Sequence, residues 1–219
     1  SWNVSDGADA FDADSTQWSD FDSDGYGDNW DDPSWNTSRE INGLGVWFIG
    51  ATEPDACPTR AGQSFEDRLG CPDSDSDGWS NPDESWKAEN GSDAFPGDPT
   101  QWADRDLDGY GDNSEGANPD AFPDNPTQWS DTDGDGWGDN QNPSASQIDA
   151  FPNEPSQWVD SDSDGFGDNS SGFQSDSCKD RAGTSTMDRF GCPDADGDGY
   201  SNSDNDWPAH PEGFADAFN

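Results

Sequence analysis

Positive charge is what this chain has least of. Lys and Arg together number 8 against 50 Asp and Glu, a formal net charge of −42 over 219 residues. A chain so acidic is repelled by nucleic-acid phosphates and by anionic membrane surfaces, which removes both as partners, and it attracts divalent cations. Apolar residues are the next shortage, at 27%. The longest apolar run, Val46–Ile49, falls far short of a membrane span. Histidine occurs once, at His210, and there is no Gly-x-Ser-x-Gly elbow or phosphate loop. Nucleophilic and phosphoryl-transfer chemistry therefore lack their usual residues, and the chain reads as a non-enzyme. Low hydrophobicity with high net charge normally means disorder, because too little surface can be buried to offset chain entropy. Two features oppose that outcome. Aromatic residues reach 12%, with 12 tryptophans, and the acidic residues recur in a fixed pattern. Metal ions and disulfides are the agents expected to hold such a chain together.

Internal repetition is the strongest signal present. One module occurs at 9–29, 93–113, 120–140 and 149–169. It reads Asp-Ala-Phe, three variable residues, Pro or Ser, Thr or Ser, Gln-Trp, one variable residue, then Asp-x-Asp-x-Asp-Gly-aromatic-Gly-Asp-Asn. A second module, at 55–81 and 176–202, reads Asp-x-Cys, a stretch holding Arg-Ala-Gly, then Asp-Arg-Leu/Phe-Gly-Cys-Pro-Asp-x-Asp-x-Asp-Gly-Trp/Tyr-Ser-Asn. The modules form a longer period. Residues 1–84 make one unit, with an apolar insert at 30–54 between its two modules. Residues 85–205 make a second unit, and 206–219 open a third that stops within Asp216-Ala217-Phe218. No signal sequence opens at Ser1. The chain is expected to be part of a longer repeat array.

The expected fold is mostly irregular: an elongated array of loops stapled by ions, with little regular secondary structure. No segment sustains a helical or strand period, and proline and glycine punctuate the chain throughout. A single helical turn is expected around Pro-Thr-Gln-Trp. The one apolar, β-prone stretch, 41–51, reads as a small hairpin or as an interface patch.

Six acidic loops carry the chemistry. Their aspartates at positions one, three and five are Asp20, Asp22 and Asp24; Asp73, Asp75 and Asp77; Asp104, Asp106 and Asp108; Asp131, Asp133 and Asp135; Asp160, Asp162 and Asp164; and Asp194, Asp196 and Asp198. Glycine stands at position six, where a sharp turn is needed. Alternating short carboxylates on a curled loop converge on one centre, and Ca²⁺ takes six to eight such oxygens. Position seven is expected to offer its backbone carbonyl while its aromatic side chain faces outward: Tyr26, Trp79, Tyr110, Trp137, Phe166 and Tyr200. Position nine adds Asp28, Asp112, Asp139 and Asp168, or Asn81 and Asn202. The aspartate opening the next module (Asp55, Asp93, Asp120, Asp149, Asp176, Asp216) is expected to close the preceding site or to link it to its neighbour. An EF-hand would need flanking helices and a Glu at position twelve, and neither is consistently present. Oxygen-only ligands exclude zinc and copper, and the strict octahedral demand of Mg²⁺ disfavours it, so six or more Ca²⁺ are expected.

These motifs resemble the thrombospondin type 3 repeat, in the form found in long surface proteins of bacteria and archaea. The resemblance covers about two thirds of the chain and omits 30–54 and the short spacers. It implies a calcium-wrapped chain in which ions replace a core, with the Asp-x-Asp-x-Asp-Gly carboxylates as ligands. Such repeats serve as spacers, adhesive stalks and matrix components. Cysteine is scarcer here than in the animal pattern.

The four cysteines sit at equal intervals within their modules, and local Cys57–Cys71 and Cys178–Cys192 bonds are the economical reading; free thiols or a metal site are the alternative. A disulfide closing 15 residues is worth roughly 3 kcal/mol and belongs to an oxidising compartment. Sequons at Asn3, Asn36, Asn90 and Asn169 are candidate glycosylation sites. The aromatics, fixed in phase with the loops, read as packing between modules, with a carbohydrate-binding surface as the alternative. The expected role is an extracellular or cell-surface structural rod or filament, assembling with itself or continuing in a longer chain, with 44–49 as its lateral contact. The alternative is an adhesive stalk with a binding face.

Overall fold

With 16 prolines and 25 glycines, few runs are free to form a helix or a strand. The computed structural model describes residues 8–36, 39 and 43–202. The partial unit at 206–219, with Asp216, and the sequon at Asn3 lie outside the described residues. Among the described residues the chain is mostly irregular loop. Single 3-10 turns occur at Pro33–Trp35 and Ala88–Asn90, with helical backbone also at Asn36 and Arg39. Isolated parallel bridges join Gly27 to Pro54, Trp30 to Trp47, Gly111 to Pro119 and Gly138 to Ile148. Pro33 presets the first helical φ, and the Asp32 carboxylate caps the turn by accepting the Ser34 N–H.

The Pro-Thr-Gln-Trp segment forms a capped turn rather than a turn of helix. The Gln101 N–H reaches the Asp98 carbonyl at 2.9 Å, and the Asp98 carboxylate accepts both the N–H and the hydroxyl of Thr100. Local side-chain acceptors of this kind compete with helical bonding. The stretch at 41–51 likewise makes no hairpin with itself among its described residues. Trp47 bridges Trp30 instead: the Trp30 N–H donates to Val46, and the Phe48 N–H donates to Trp30. Gly45, at φ +62°, lets the chain cross close to the Asp28 carbonyl; a Cβ there would lie 2.1 Å from that oxygen. Trp30, Leu44 and Ala51 are buried, whereas Val46, Trp47 and Ile49 remain exposed.

Among the described residues five apolar side chains are buried against eighteen polar or charged ones, so hydrogen bonding rather than apolar contact organises the interior. Both disulfides form as Cys57–Cys71 and Cys178–Cys192, with Cys71 and Cys192 wholly buried and no free cysteine. No helix of the described residues is long and apolar enough to cross a membrane. The chain divides into two compact units, Ser1–Asp120 and Ala121–Asn219. The division does not follow the sequence period at 84/85. Trp79 stacks on Trp102 and the Asp93 N–H donates to Ser80, which ties module 93–113 to the Cys module before it.

Candidate metal sites

Each acidic loop is shaped by its own carboxylates. At position one, one carboxylate oxygen accepts the N–H of position four and the other accepts the N–H of the position-six glycine. Asp20 thus holds Ser23 and Gly25, and Asp131 holds Gly134 and Gly136. The same pair recurs at Asp73, Asp104, Asp160 and Asp194. One oxygen of position five accepts the N–H of the aromatic at position seven in all six loops. The loop closes where the position-nine N–H donates to the carbonyl just before position one, as from Asp28 to Ser19 and from Asn81 to Pro72. Position four has positive φ in every loop, at Ser23, Ser76, Leu107, Gly134, Ser163 and Gly197. Only two of these are glycine, so sequence reading passes over a turn position that the position-one carboxylate enforces.

The result is a set of converging oxygens. In the five loops opening at Asp20, Asp73, Asp104, Asp131 and Asp160, one oxygen from each of positions one, three and five lies within 4.8 Å of the others. That is about the span of two oxygens on opposite sides of one Ca²⁺-sized ion, at 2.3–2.6 Å each. Buried oxygens at Asp22, Asp75, Asp77, Asp106, Asp108, Asp133, Asp135 and Asp162 have no hydrogen-bond partner. Burial, and then the neighbouring carboxylates, push Asp22, Asp106 and Asp162 above the ordinary carboxylate range. Unpaired buried carboxylates cost free energy unless a cation meets them, and a hard, oxygen-preferring metal ion fits this donor set.

The aspartate opening the next module belongs to the same cluster. Its N–H donates to the position-eight carbonyl of the loop before it: Asp55 to Gly27, Asp93 to Ser80, Asp120 to Gly111, Asp149 to Gly138, Asp176 to Gly167. All five are buried. In Asp55, Asp93, Asp149 and Asp176, Oδ1 accepts the N–H two residues on, and Oδ2 is left buried without a partner. Burial first, and then the preceding loop's aspartates, push Asp55 up to about 8, Asp93 to about 7, and Asp149 and Asp176 to about 6.

Position nine is less uniform than its place in the motif suggests. Asp28 and Asp168 each keep one buried oxygen without a partner. Asn81, Asn202 and Asp139 turn back to accept the N–H of position two. Asp139 also accepts the hydroxyls of Ser130 and Thr132, which outweigh burial and leave it below the ordinary range. Asp112 accepts the Arg105 N–H and faces its guanidinium at 3.9 Å. These side chains brace the loop mouth.

Three of the aromatics at position seven pack onto the following module. Trp79 lies on Trp102 and Trp137 on Trp158, each at 6.3 Å and nearly parallel, and Phe166 meets Phe190 at 5.9 Å.

The residues that position these clusters include several that sequence reasoning missed. Gln17, Gln101, Gln128 and Gln157 are each at most 2% exposed. The Gln128 carbonyl oxygen accepts the Asn140 N–H, while its amide donates to Asn140 and Ser146 carbonyls. Asn140 in turn donates its side-chain amide to Thr127. The other three modules repeat this clasp. It explains the position-eight glycine, since a Cβ on Gly138 would lie 2.1 Å from the Gln128 side chain. In the Cys modules Ser80 and Ser201 take that place. Each is held by Asp67 or Asp188, while Arg68 or Arg189 reaches the position-nine carbonyl, one residue before the position-ten carbonyl that the glutamine takes elsewhere. The signal was legible as Gln-Trp and Asp-Asn at fixed register, but a polar dipeptide does not announce burial.

The sequons divide. Asn90 is exposed on the second 3-10 turn. The Asn36 side-chain Oδ1 accepts the Trp30 indole N–H. At Asn169 the amide nitrogen, where a glycan would attach, donates to the Ser156 carbonyl at 2.8 Å within the clasp.

No model of a known protein family matches the chain, and no curated protein matches it either.

Proposed function

We propose that this chain is an extracellular calcium-binding structural repeat protein, similar in kind to the thrombospondin type 3 repeats it resembles, and that it acts as a semi-rigid spacer or filament element. Each acidic loop takes one Ca²⁺, and the first aspartate of the next module completes the site. Ion binding then fastens each module to its successor.

The observation that carries this reading is the burial, without a hydrogen-bond partner, of Oδ2 of the closing carboxylates Asp55, Asp93, Asp149 and Asp176 against the loop before them. Four buried carboxylate oxygens left unpaired in one register make sense as ligand atoms and are costly otherwise. Two disulfides fit an oxidising, calcium-rich exterior. Pairing of the tryptophans with one another supports packing between modules over a sugar-binding role. Nothing in these sites calls for catalysis, since the carboxylates that could act as acid or base converge as ligands.

Calorimetric titration of chelator-treated chain tests the reading. Six or more equivalents of Ca²⁺ are expected, with Mg²⁺ binding far more weakly because it resists dehydration. Equal affinity for both ions, or no binding, sinks the proposal. Electron microscopy of calcium-replete material checks the rod.

A further inference from the structure

The hydrogen bonds sort five of the six acidic loops into two kinds. In the loops opening at Asp73, Asp104 and Asp131, Oδ2 of the fifth-position aspartate (Asp77, Asp108, Asp135) is buried without a partner. In the loops opening at Asp20 and Asp160 the same atom accepts a backbone N–H, from Gly62 to Asp24 at 3.0 Å and from Gly183 to Asp164 at 2.8 Å. Both donors are the glycine of Arg-Ala-Gly, inside the ring closed by Cys57–Cys71 or Cys178–Cys192.

That ring is fitted to the preceding loop at three places. The donor glycine is wedged against the second cysteine: a Cβ on Gly62 or Gly183 would lie 1.9 Å from the Cys71 or Cys192 carbonyl carbon. The glycine before that cysteine rests on the closing aspartate. A Cβ on Gly70 would sit 2.4 Å from Asp55 Oδ1 and 3.1 Å from Asp24 Oδ2, and one on Gly191 would sit 2.3 Å from Asp176 Oδ1 and 3.2 Å from Asp164 Oδ2. The first cysteine donates its N–H to that same aspartate, at 2.6 Å in both copies.

We propose that each disulfide ring is a positioning part of the metal site that precedes it. Ring closure and ion binding are therefore coupled at the Asp20 and Asp160 loops and uncoupled at the Asp104 and Asp131 loops; the Asp73 loop is held by the same ring from its other side, through the Phe65 and Glu66 N–H groups on the Gly78 carbonyl. This rests on the calcium reading above. A closed ring holds the Gly62 and Gly183 amides, and the closing aspartates Asp55 and Asp176, at fixed places around the fifth-position carboxylates. An open ring releases all of these together. Because coupling between two events is reciprocal, the ion at Asp20–Asp24 also orders the Arg60–Gly62 turn.

Calcium titration of the full chain, wild type beside the Cys57→Ser/Cys71→Ser double variant, tests the inference. The equivalents of the two loops flanking this ring, opening at Asp20 and Asp73, are expected to weaken, the first about tenfold, while those opening at Asp104, Asp131 and Asp160 keep their affinity. An unchanged isotherm overturns the proposal. So does uniform weakening of every site, which would make the disulfide a general support. A wild-type chain that binds no calcium fails the functional reading itself and is told apart by that control. A second arm keeps the ring intact. Asp22→Asn removes the charge of the position-three carboxylate while keeping an oxygen to face the Arg60 and Asp24 N–H groups beside it, so it weakens ion binding and leaves the ring's own contacts in place. In amide hydrogen exchange, calcium is expected to protect Gly62 and Gly183 in the wild type, and only Gly183 in Asp22→Asn. Equal protection of both glycines in the variant overturns the coupling.

Discussion

At the scale of single residues, the interior of this chain is built by polar side chains that satisfy backbone groups. Gln128 illustrates the principle: it meets the N–H and the carbonyl of Asn140 and the carbonyl of Ser146, and Gly138 is bare so that it can do so. Leaving a buried polar group unsatisfied costs about 1–3 kcal/mol. Gln128→Ala is therefore expected to lower the stability of the calcium-replete chain by about that amount. Gly138→Ala, which drives a methyl into the same glutamine, is expected to cost about 1–3 kcal/mol by overpacking. Denaturant unfolding checks both, and a neutral result at either position would show the clasp to be dispensable. The same clasp commits Asn169, so peptide mass mapping of native material should find its amide unmodified; a glycan there would contradict the clasp.

At the scale of the element, the working unit is a loop together with the first aspartate of the next module. Asp93→Asn removes charge from the closing position while keeping the shape and the backbone bond to Ser80. In calcium it should weaken one equivalent, the Asp73 site, by about tenfold or more, as removal of a charged ligand does. In chelator the same change should stabilise the chain at pH 8, because it deletes a buried charge that nothing compensates. Opposite signs in the two conditions would mark a ligand, whereas destabilisation in both would mark a purely structural residue. The pH dependence follows from the closing set. Asp55, Asp93, Asp149 and Asp176 are raised from 3.8 to between about 6 and about 8, chiefly by burial. A carboxyl whose folded value is raised contributes stability that is complete below its unfolded value and is lost as pH rises through the folded one. Metal-free chain should thus resist protease better at pH 5 than at pH 8. Calcium should reverse that order by favouring the ionised carboxylates. A metal-free chain that grows more stable from pH 5 to 8 would refute the assignment.

At the scale of the whole molecule, repulsion among carboxylates has little apolar burial to oppose it. The formal charge of −42 becomes −30 when six divalent ions bind. Anything that binds the folded chain alone stabilises it, so chelation should unfold most of the chain and leave the two disulfide rings as its residual constraints. Circular dichroism and limited proteolysis before and after EDTA measure this. Unchanged spectra and cleavage patterns would mean that the clasps and rings suffice without ions.

Much of the candidate site was legible in the sequence because its geometry is local. Aspartates at alternate positions with a following glycine curl onto one centre whatever surrounds them, and cysteines 14 residues apart inside a repeat close on each other. The irregular fold was equally legible, since glycine, proline and the absence of apolar period exclude helix and sheet. What stayed hidden depends on contacts between segments that composition does not encode. The burial of Gln17, Gln101, Gln128 and Gln157 needs the exit asparagine and the spacer to meet them. Trp47 crosses to Trp30 because Gly45 permits a close approach to Asp28, a choice between partners that the apolar stretch leaves open. Division of the loops into those braced by a ring amide and those left open was decided by the tertiary structure alone. The aspartates at positions one, three and five and the glycine at six are the same in both kinds, and the module folded against them differs.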